Sequence, residues 1–184
     1  MTGPSLDSSL VWNVGGLLAD PPGSERQEDV RDVSIDLGED LRLARPISGQ
    51  VRLLRTNRGI VARADLHTAL ALECSRCLRD IELPVDVRLD EEYLPAIDLL
   101  TGRPTPTDDE PDVARLTDHH ELDLETPVRE AIQLAEPIAP TCRPDCPGLC
   151  VVCGGRLEDG THDHPGDDID PRLEALRGFR PDDT

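Results

Sequence analysis

The segment 142–164 reads CRPDCPGLCVVCGGRLEDGTHDH and carries most of the chain's soft ligand side chains. Four of the six cysteines and two of the five histidines lie here, namely Cys142, Cys146, Cys150, Cys153, His162 and His164. The other two cysteines, Cys74 and Cys77, form a C-x-x-C far upstream. Structural zinc takes four thiolate or imidazole ligands. These eight side chains therefore predict two structural zinc sites, with no cysteine left unused.

Two pairings of these ligands satisfy the spacing. In the first, Cys74 and Cys77 join Cys142 and Cys146 in one site, and the second site is built from Cys150, Cys153, His162 and His164. In the other, the four tail cysteines share one ion, and Cys74 and Cys77 stay unmatched. The first is favoured because it leaves no thiol over and closes a long loop, where a cross-link restricts the unfolded chain most.

Other chemistries compete with zinc for the same residues. Six cysteines could form three disulfides, but the chain shows no secretory signal and is not small. The pair Cys74 and Cys77 could be a redox motif, although the βαβ pattern typical of thioredoxin-like proteins is missing around it. His162 and His164 could also be solvated, with a carboxylate of Asp159 or Asp163 completing the second site.

Composition restricts the class of protein. The 184 residues carry a formal net charge of −19, and every basic side chain other than histidine is an arginine. This charge argues against a surface that coats nucleic acid and favours a basic protein as the partner. With one Phe, one Tyr and one Trp, the core must be aliphatic. No apolar run reaches membrane-spanning length, so we expect a reducing, cytoplasmic location.

The first half of the chain is predicted to be β-rich. Apolar and polar residues alternate from Val33 to Leu94, as expected for half-buried antiparallel strands. The segment 56–59 (TNRG) is a hairpin turn, and the C-x-x-C lies at the next hairpin. Ahead of this region we expect a short strand at 10–14, a Gly/Pro loop at 15–24 and a charged link at 25–32.

The second half is predicted to be mostly irregular. An acidic, flexible loop spans 95–123, and its excess of carboxylates makes it the expected docking surface for a basic protein. A helix follows at 124–136, then the zinc-binding segment 139–166 and a short helix at 170–178. The expected fold is a single α+β domain over 10–184, with a β core at 10–94. The antiparallel sheet forms a partly closed barrel with one packed helix.

One hairpin departs from the overall charge. Between Leu41 and Ala64 there are six arginines and no acid. These side chains suit a solvated edge strand protected from aggregation by its charge. The alternative is a local contact with RNA phosphates, made by Arg52, Arg55, Arg58 and Arg63.

The motif order resembles that of the YceD family, known as large ribosomal RNA subunit accumulation proteins. The resemblance is carried by a β region with C-x-R-C (Cys74–Cys77), a helix ending at Pro137, the cysteine-rich run 142–154, and Asp170-Pro171-Arg172. It covers nearly the whole chain, although the N-terminal third matches only in pattern. The family often has further cysteines where this chain has His162 and His164, and histidine can replace thiolate on zinc.

This resemblance implies a non-enzymatic, cytoplasmic factor for accumulation or processing of 23S ribosomal RNA. Structural zinc, as one or two ions, would tie the tail to the β core, and the partner would be a basic large-subunit protein or a pre-ribosomal particle. One alternative is a zinc-dependent RNA-processing hydrolase, although the thiolate-rich ligand sets leave no open position for catalysis. Another is a redox sensor, because exposed zinc thiolates can be oxidised.

Overall fold

The computed structural model describes residues 10–98, 101–105, 113–164 and 171–176. The strands are β1 (Val11–Asn13), β2 (Glu25–Val33), β3 (Arg42–Arg55), β4 (Ile60–Glu73), β5 (Asp80–Leu94), β6 (Ala114–Arg115) and β7 (Glu121–Asp123). The helices are α1 (Gly15–Ala19), α2 (Glu125–Leu134) and a short 3-10 helix over Pro171–Leu176. The described part of the chain is thus mostly β-sheet with two α-helices.

The long strands form one five-stranded sheet in the order β2-β3-β4-β5-β6. Its strands are antiparallel except for the short parallel pairing of β5 with β6. The predicted turn at 56–59 joins β3 to β4, and the Thr56 amide donates to the Gly59 carbonyl at 3.0 Å. The hairpin between β4 and β5 carries Cys74 and Cys77 at its tip, as the alternating pattern predicts.

The apolar face of the sheet is covered by the remaining elements. Val128 and Ile132 of α2 are fully buried in the same cluster as the inward residues of β3 and β4. Strands β1 and β7 pair as a separate ribbon, which adds Leu122 to this core, and α1 adds Leu17 and Leu18. Burial of each such side chain stabilises the fold by about 1.5–3 kcal/mol. Tyr93 is buried in the same, otherwise aliphatic cluster.

The prediction of a partly closed barrel is wrong. β2 and β6 lie at opposite edges of the main sheet, and no strand pairing joins them within the described ranges. Closure is unnecessary here because α1, α2 and the β1–β7 ribbon already remove the apolar face of the sheet from water. The sheet therefore stays open.

Local predictions for the N-terminal region also need correction. The charged link expected at 25–32 is most of strand β2, and the loop expected at 15–24 contains α1. Conversely, the strand expected from Val33 to Leu37 ends at Val33. Leu37 is buried although it lies outside strand β2. Its backbone carbonyl accepts a hydrogen bond from Gln133 Nε2 of α2 at 3.0 Å, which replaces a strand partner.

In the C-terminal half, α2 occupies the position predicted for the helix at 124–136. The 95–123 loop contains the short strands β6 and β7, while its residues 99–100 and 106–112 lie outside the described ranges. No helix in the described part of the chain is both long and apolar enough to cross a bilayer.

Candidate metal centres

The tip of the β4–β5 hairpin and the tail form a four-thiol cluster, here called site A. It contains Cys74, Cys77, Cys142 and Cys146, whose sulfur atoms all lie within 4.8 Å of one another. The side chains of Cys74 and Cys77 are completely buried. Ile81 and Leu149 pack against this cluster, which is separate from the main core. All six cysteines of the chain are free thiols, so the structure contains no disulfide.

The dimensions of site A fit a tetrahedral metal ion. Cys74 Sγ lies 3.8 Å from Cys146 Sγ, and Cys77 Sγ lies 3.8 Å from Cys142 Sγ. Four sulfurs at the Zn–S bond length of about 2.3 Å define a tetrahedron with edges of about 3.8 Å. The protein atoms are therefore arranged so that one ion could bind all four thiolates without displacing the backbone.

Protonation differs among these thiols in the metal-free cluster. Burial, together with hydrogen bonds to neighbouring thiols, raises the pKa of Cys142 to about 12. Burial also raises the pKa of Cys146. For Cys74, burial acts in the same direction, but backbone amides, that of Cys142 foremost, outweigh it and lower the pKa to about 6. The metal-free cluster at neutral pH thus holds a thiolate at Cys74 and protonated thiols at Cys142 and Cys146.

The second cluster, site B, lies entirely within the tail. It contains Cys150, Cys153, His162 and His164, with ligand atoms within 4.8 Å of one another. Cys150 Sγ lies 3.3 Å from His164 Nε2, and Cys153 Sγ lies 3.3 Å from His162 Nδ1. Cys153 is exposed, whereas every ligand of site A is at least half-buried. Of the two predicted pairings, the structure brings together the ligands of the first.

Site B depends on two glycines that follow its second cysteine. Gly154 has a φ of +71° and donates its amide to the Cys150 carbonyl at 2.9 Å, which closes the turn between the two cysteines. A Cβ atom on Gly155 would lie 2.9 Å from Cε1 of His162. The other ring nitrogen of His162, Nε2, lies 2.8 Å from the Arg156 carbonyl, a contact that sets the orientation of the imidazole.

Arginine side chains fasten the tail to the hairpin. Arg156 donates from Nε to the Cys77 carbonyl at 2.9 Å and from Nη2 to the Leu78 carbonyl at 3.1 Å. In the opposite direction, Arg76 of the hairpin donates to the Cys146 carbonyl of the tail at 3.1 Å. The backbone carbonyl of Arg156 also contacts His162. Arg156 therefore links the hairpin tip at Cys77 and Leu78 to a candidate ligand of site B.

A half-buried carboxylate completes this connection. In the sequence, Glu158 lies between Cys153 and His162 of site B. Its carboxylate accepts a hydrogen bond from Nη2 of Arg79 at 3.0 Å and also contacts Arg143. Arg79 follows Cys77 by two residues, and Arg143 follows Cys142 directly. Glu158 is the foremost cause of a raised pKa of Arg79, with Cys77 and Cys142 adding to it. The arginines thus place positive charge beside thiolate sites that would otherwise be strongly negative.

Sequence reasoning missed these supporting residues. Their signal was available, because Arg143 and Arg156 are the only arginines and Glu158 the only glutamate in the segment 142–164. However, the position of a charged residue in the sequence does not indicate which distant residue it will contact. Only the docking of the tail on the hairpin shows that Arg156 reaches carbonyls 78 or 79 positions away in the chain.

The four arginines predicted to contact RNA do not form one continuous basic surface. Arg55 turns inward and donates to the carbonyls of Leu18 and Gly59 at 3.1 and 3.2 Å. Arg63 forms an ion pair of 2.9 Å with Asp90, and Arg58 Nε lies 4.0 Å from a Glu92 carboxylate oxygen. Arg52 is exposed and lies directly across from Arg63 in the β3–β4 pairing. The RNA contact stays a prediction.

Mycobacterial proteins are similar to this chain. The uncharacterized protein Rv2926c of Mycobacterium tuberculosis is 35% identical over 146 residues, which cover 78% of this chain and 64% of the relative. An uncharacterized protein of Mycobacterium leprae is 33% identical over 128 residues, which cover 68% of this chain and 55% of the relative. The chain thus spans less than two thirds of these relatives. No solved structure gives a significant match.

The family comparison covers both candidate metal centres, strand β5 and nearly all of β4. Residues 62–180 match the family described as Large ribosomal RNA subunit accumulation protein YceD. This range includes all eight ligands of sites A and B and the whole arginine connection between them. Since the match extends over well more than half of the sequence, the chain belongs to the YceD family.

Proposed function

We propose that this protein is a non-enzymatic cytoplasmic factor that supports 23S ribosomal RNA accumulation and assembly of the large ribosomal subunit. The observation that carries the proposal is the family match over residues 62–180. The family description names the accumulation of large-subunit ribosomal RNA, and our proposal assigns the same role to this chain.

Zinc has a structural role in this proposal. Each site offers four protein ligands from side chains that lie within 4.8 Å of one another, which supports a coordinatively saturated ion. Catalytic zinc sites instead keep a position open for water or substrate. Binding of a structural zinc contributes about 10 kcal/mol or more in small zinc domains, enough to decide whether the tail docks on the hairpin.

The partner in this proposal is a basic protein of the large subunit or of its precursor. The formal charge of −19 supports it, because complementary charge accelerates association and excludes acidic partners. A docked tail would present a rigid acidic surface, whereas an undocked one would have to be ordered on binding.

The experiment is a deletion strain with complementation. We expect the ratio of 23S to 16S ribosomal RNA to fall in the deletion strain and to recover with the wild-type gene. A variant in which Cys74 and Cys142 are both replaced by serine should fail to restore the ratio. The matched control replaces Ser75 and Thr141, their chain neighbours, by alanine. An unchanged ratio in the deletion strain would contradict the proposed function.

A further inference from the structure

A groove of about 900 Å³ opens beside site A, where the β4–β5 hairpin meets the chain leaving α2. Its lining includes six carboxylates, contributed by Glu39, Asp40, Glu73, Asp80, Glu82 and Glu136. All six residues are exposed. Leu72 and Ile81 also line the groove, but they pair with each other and their side chains point to the opposite face of the sheet from Glu73 and Asp80. The groove thus has a strongly negative rim.

The cross-strand pairing shows that this concentration of negative charge is local. Elsewhere along the β4–β5 ladder, exposed pairs join groups of opposite or complementary charge, namely Arg63 with Asp90, Asp65 with Arg88, and His67 with Asp86. At the groove this pattern reverses, because Glu73 lies directly opposite Asp80. Like charges facing each other across two strands destabilise the pairing. A bound cationic group would remove that repulsion.

Most of these carboxylates have no internal counterion. Glu82 forms an ion pair of 2.9 Å with Arg45. Within the described residues, the other five carboxylates of the rim form no ion pair, and Arg42 is the only basic residue in the lining. The rim therefore retains a net negative charge that the protein does not neutralise.

Site A holds one wall of the groove in place. The wall is the segment from Glu136 to Pro140, which enters site A at Cys142. It is attached to the hairpin by a hydrogen bond of 2.8 Å from the Ser75 amide to the Pro140 carbonyl.

We propose that this acidic groove binds a basic segment of a partner protein through lysine or arginine side chains on the rim. The inference rests on the proposed function and assigns a binding surface to it. The groove lies outside the 95–123 loop from which sequence alone predicts docking. RNA is a poor occupant because its phosphates would face five unneutralised carboxylates.

Binding can be measured with the zinc-loaded full chain and a 12-residue peptide that repeats Lys-Leu-Arg-Ala. We expect Glu39→Gln combined with Glu136→Gln to weaken binding about tenfold at low salt. The control pair, Asp20→Asn with Asp118→Asn, removes the same charge from exposed positions outside the groove and should change affinity less than about twofold. Equal losses in both pairs would overturn the proposal, as would tighter binding of a uridine oligonucleotide than of the peptide.

A single substitution tests the like-charge pair directly. Glu73→Lys would face Asp80 with the opposite charge, so the free protein should unfold at a midpoint about 1–2 °C higher. The same variant should bind the peptide more weakly, because the groove then contains its own cation. A variant with lower stability and unchanged peptide affinity would contradict the proposed role of this pair.

A cellular assay separates failure of the groove from failure of the function. The Glu39→Gln, Glu136→Gln variant is introduced into the deletion strain, and the 23S to 16S ratio is compared with that of the control pair. If the deletion lowers the ratio and the groove variant restores it fully, the groove inference is wrong while the function stands. If the deletion leaves the ratio unchanged, the proposed function itself fails.

Discussion

At site B, a single glycine hydrogen provides the space that one histidine ligand needs. His162 presents Nδ1 to Cys153 Sγ at 3.3 Å while its Nε2 contacts the Arg156 carbonyl, so the ring is restrained on both sides. Gly155 lies against the edge of this ring. The ring cannot rotate away from an added atom without losing one of its two contacts.

Gly155→Ala should therefore weaken zinc binding at site B by about tenfold while leaving site A intact. The physical reason is the 2.9 Å approach of a Cβ atom to His162 Cε1. Titration of the cobalt-substituted protein measures this, because a four-thiolate site and a mixed thiolate–imidazole site absorb differently. Gly160→Ala is the matched control, since a Cβ at Gly160 meets nothing within 4 Å. Equal metal affinities in the two variants would refute the prediction.

The thiols of site A predict how metal binding depends on pH. Burial raises the pKa of Cys142 to about 12 and also raises that of Cys146, so both are protonated in the metal-free protein at neutral pH. Zinc binds thiolates, so both protons must leave on binding. Affinity should therefore rise with pH, by about 100-fold per unit for two protons, and fall on acidification. Competition with a chelator between pH 6.5 and 8 measures the slope, and a flat profile would contradict this.

At the scale of elements, arginine and glutamate side chains fasten the tail to the hairpin, in addition to the clustering of thiols in site A. The Arg156 side chain donates to the carbonyls of Cys77 and Leu78 at the hairpin tip, and its backbone carbonyl contacts His162 of site B. Glu158 adds an ionic connection to Arg79. A metal ion in site A would fix the hairpin tip to which Arg156 binds, so we expect binding at one site to favour binding at the other.

Arg156→Ala should reduce this coupling. Loss of two charge-assisted hydrogen bonds to partly buried carbonyls should lower the stability of the zinc-loaded protein by about 2 kcal/mol. Calorimetric zinc titration should then show a larger difference in affinity between the two sites. Arg52→Ala is a suitable control because Arg52 is exposed on β3, far along the sheet from the hairpin tip. Identical titrations for the two variants would exclude a coupling role for Arg156.

At the scale of the whole molecule, two separate cores have different requirements. The main apolar cluster contains residues of β2–β5, α1 and α2, whereas Cys74, Cys77 and Cys146 form a second small cluster with few apolar neighbours. No residue of the segment 139–164 belongs to the main cluster. We therefore expect the main core to remain folded without metal and the tail to depend on sites A and B.

Metal removal should therefore release the tail without unfolding the sheet. With a strong chelator present, amide hydrogens of 139–164 should exchange rapidly, while those of β3 and β4 keep their protection. Readdition of zinc should restore protection of the tail. Simultaneous loss of protection in β4 and the tail would show instead that the two cores fold as one cooperative unit.

Much of the local structure follows from the sequence alone. The alternation of apolar residues predicts the long strands, TNRG predicts the turn at 56–59, and the stripe containing Val128 and Ile132 predicts α2. These signals are local, since each arises from neighbouring residues on one face or in one turn. By contrast, β2 is rich in charged residues and shows no such alternation, because only a few of its side chains reach the core.

Ligand number was likewise a property of the sequence, because eight thiol and imidazole side chains suit two four-coordinate ions. Their grouping was decided only in three dimensions, where the folded chain brings Cys74 within 3.8 Å of Cys146 across 72 positions. The open sheet and the facing carboxylates of Glu73 and Asp80 also belong to the tertiary structure. Local patterns specify what each segment can form, whereas strand register and the docking of distant segments determine which side chains meet.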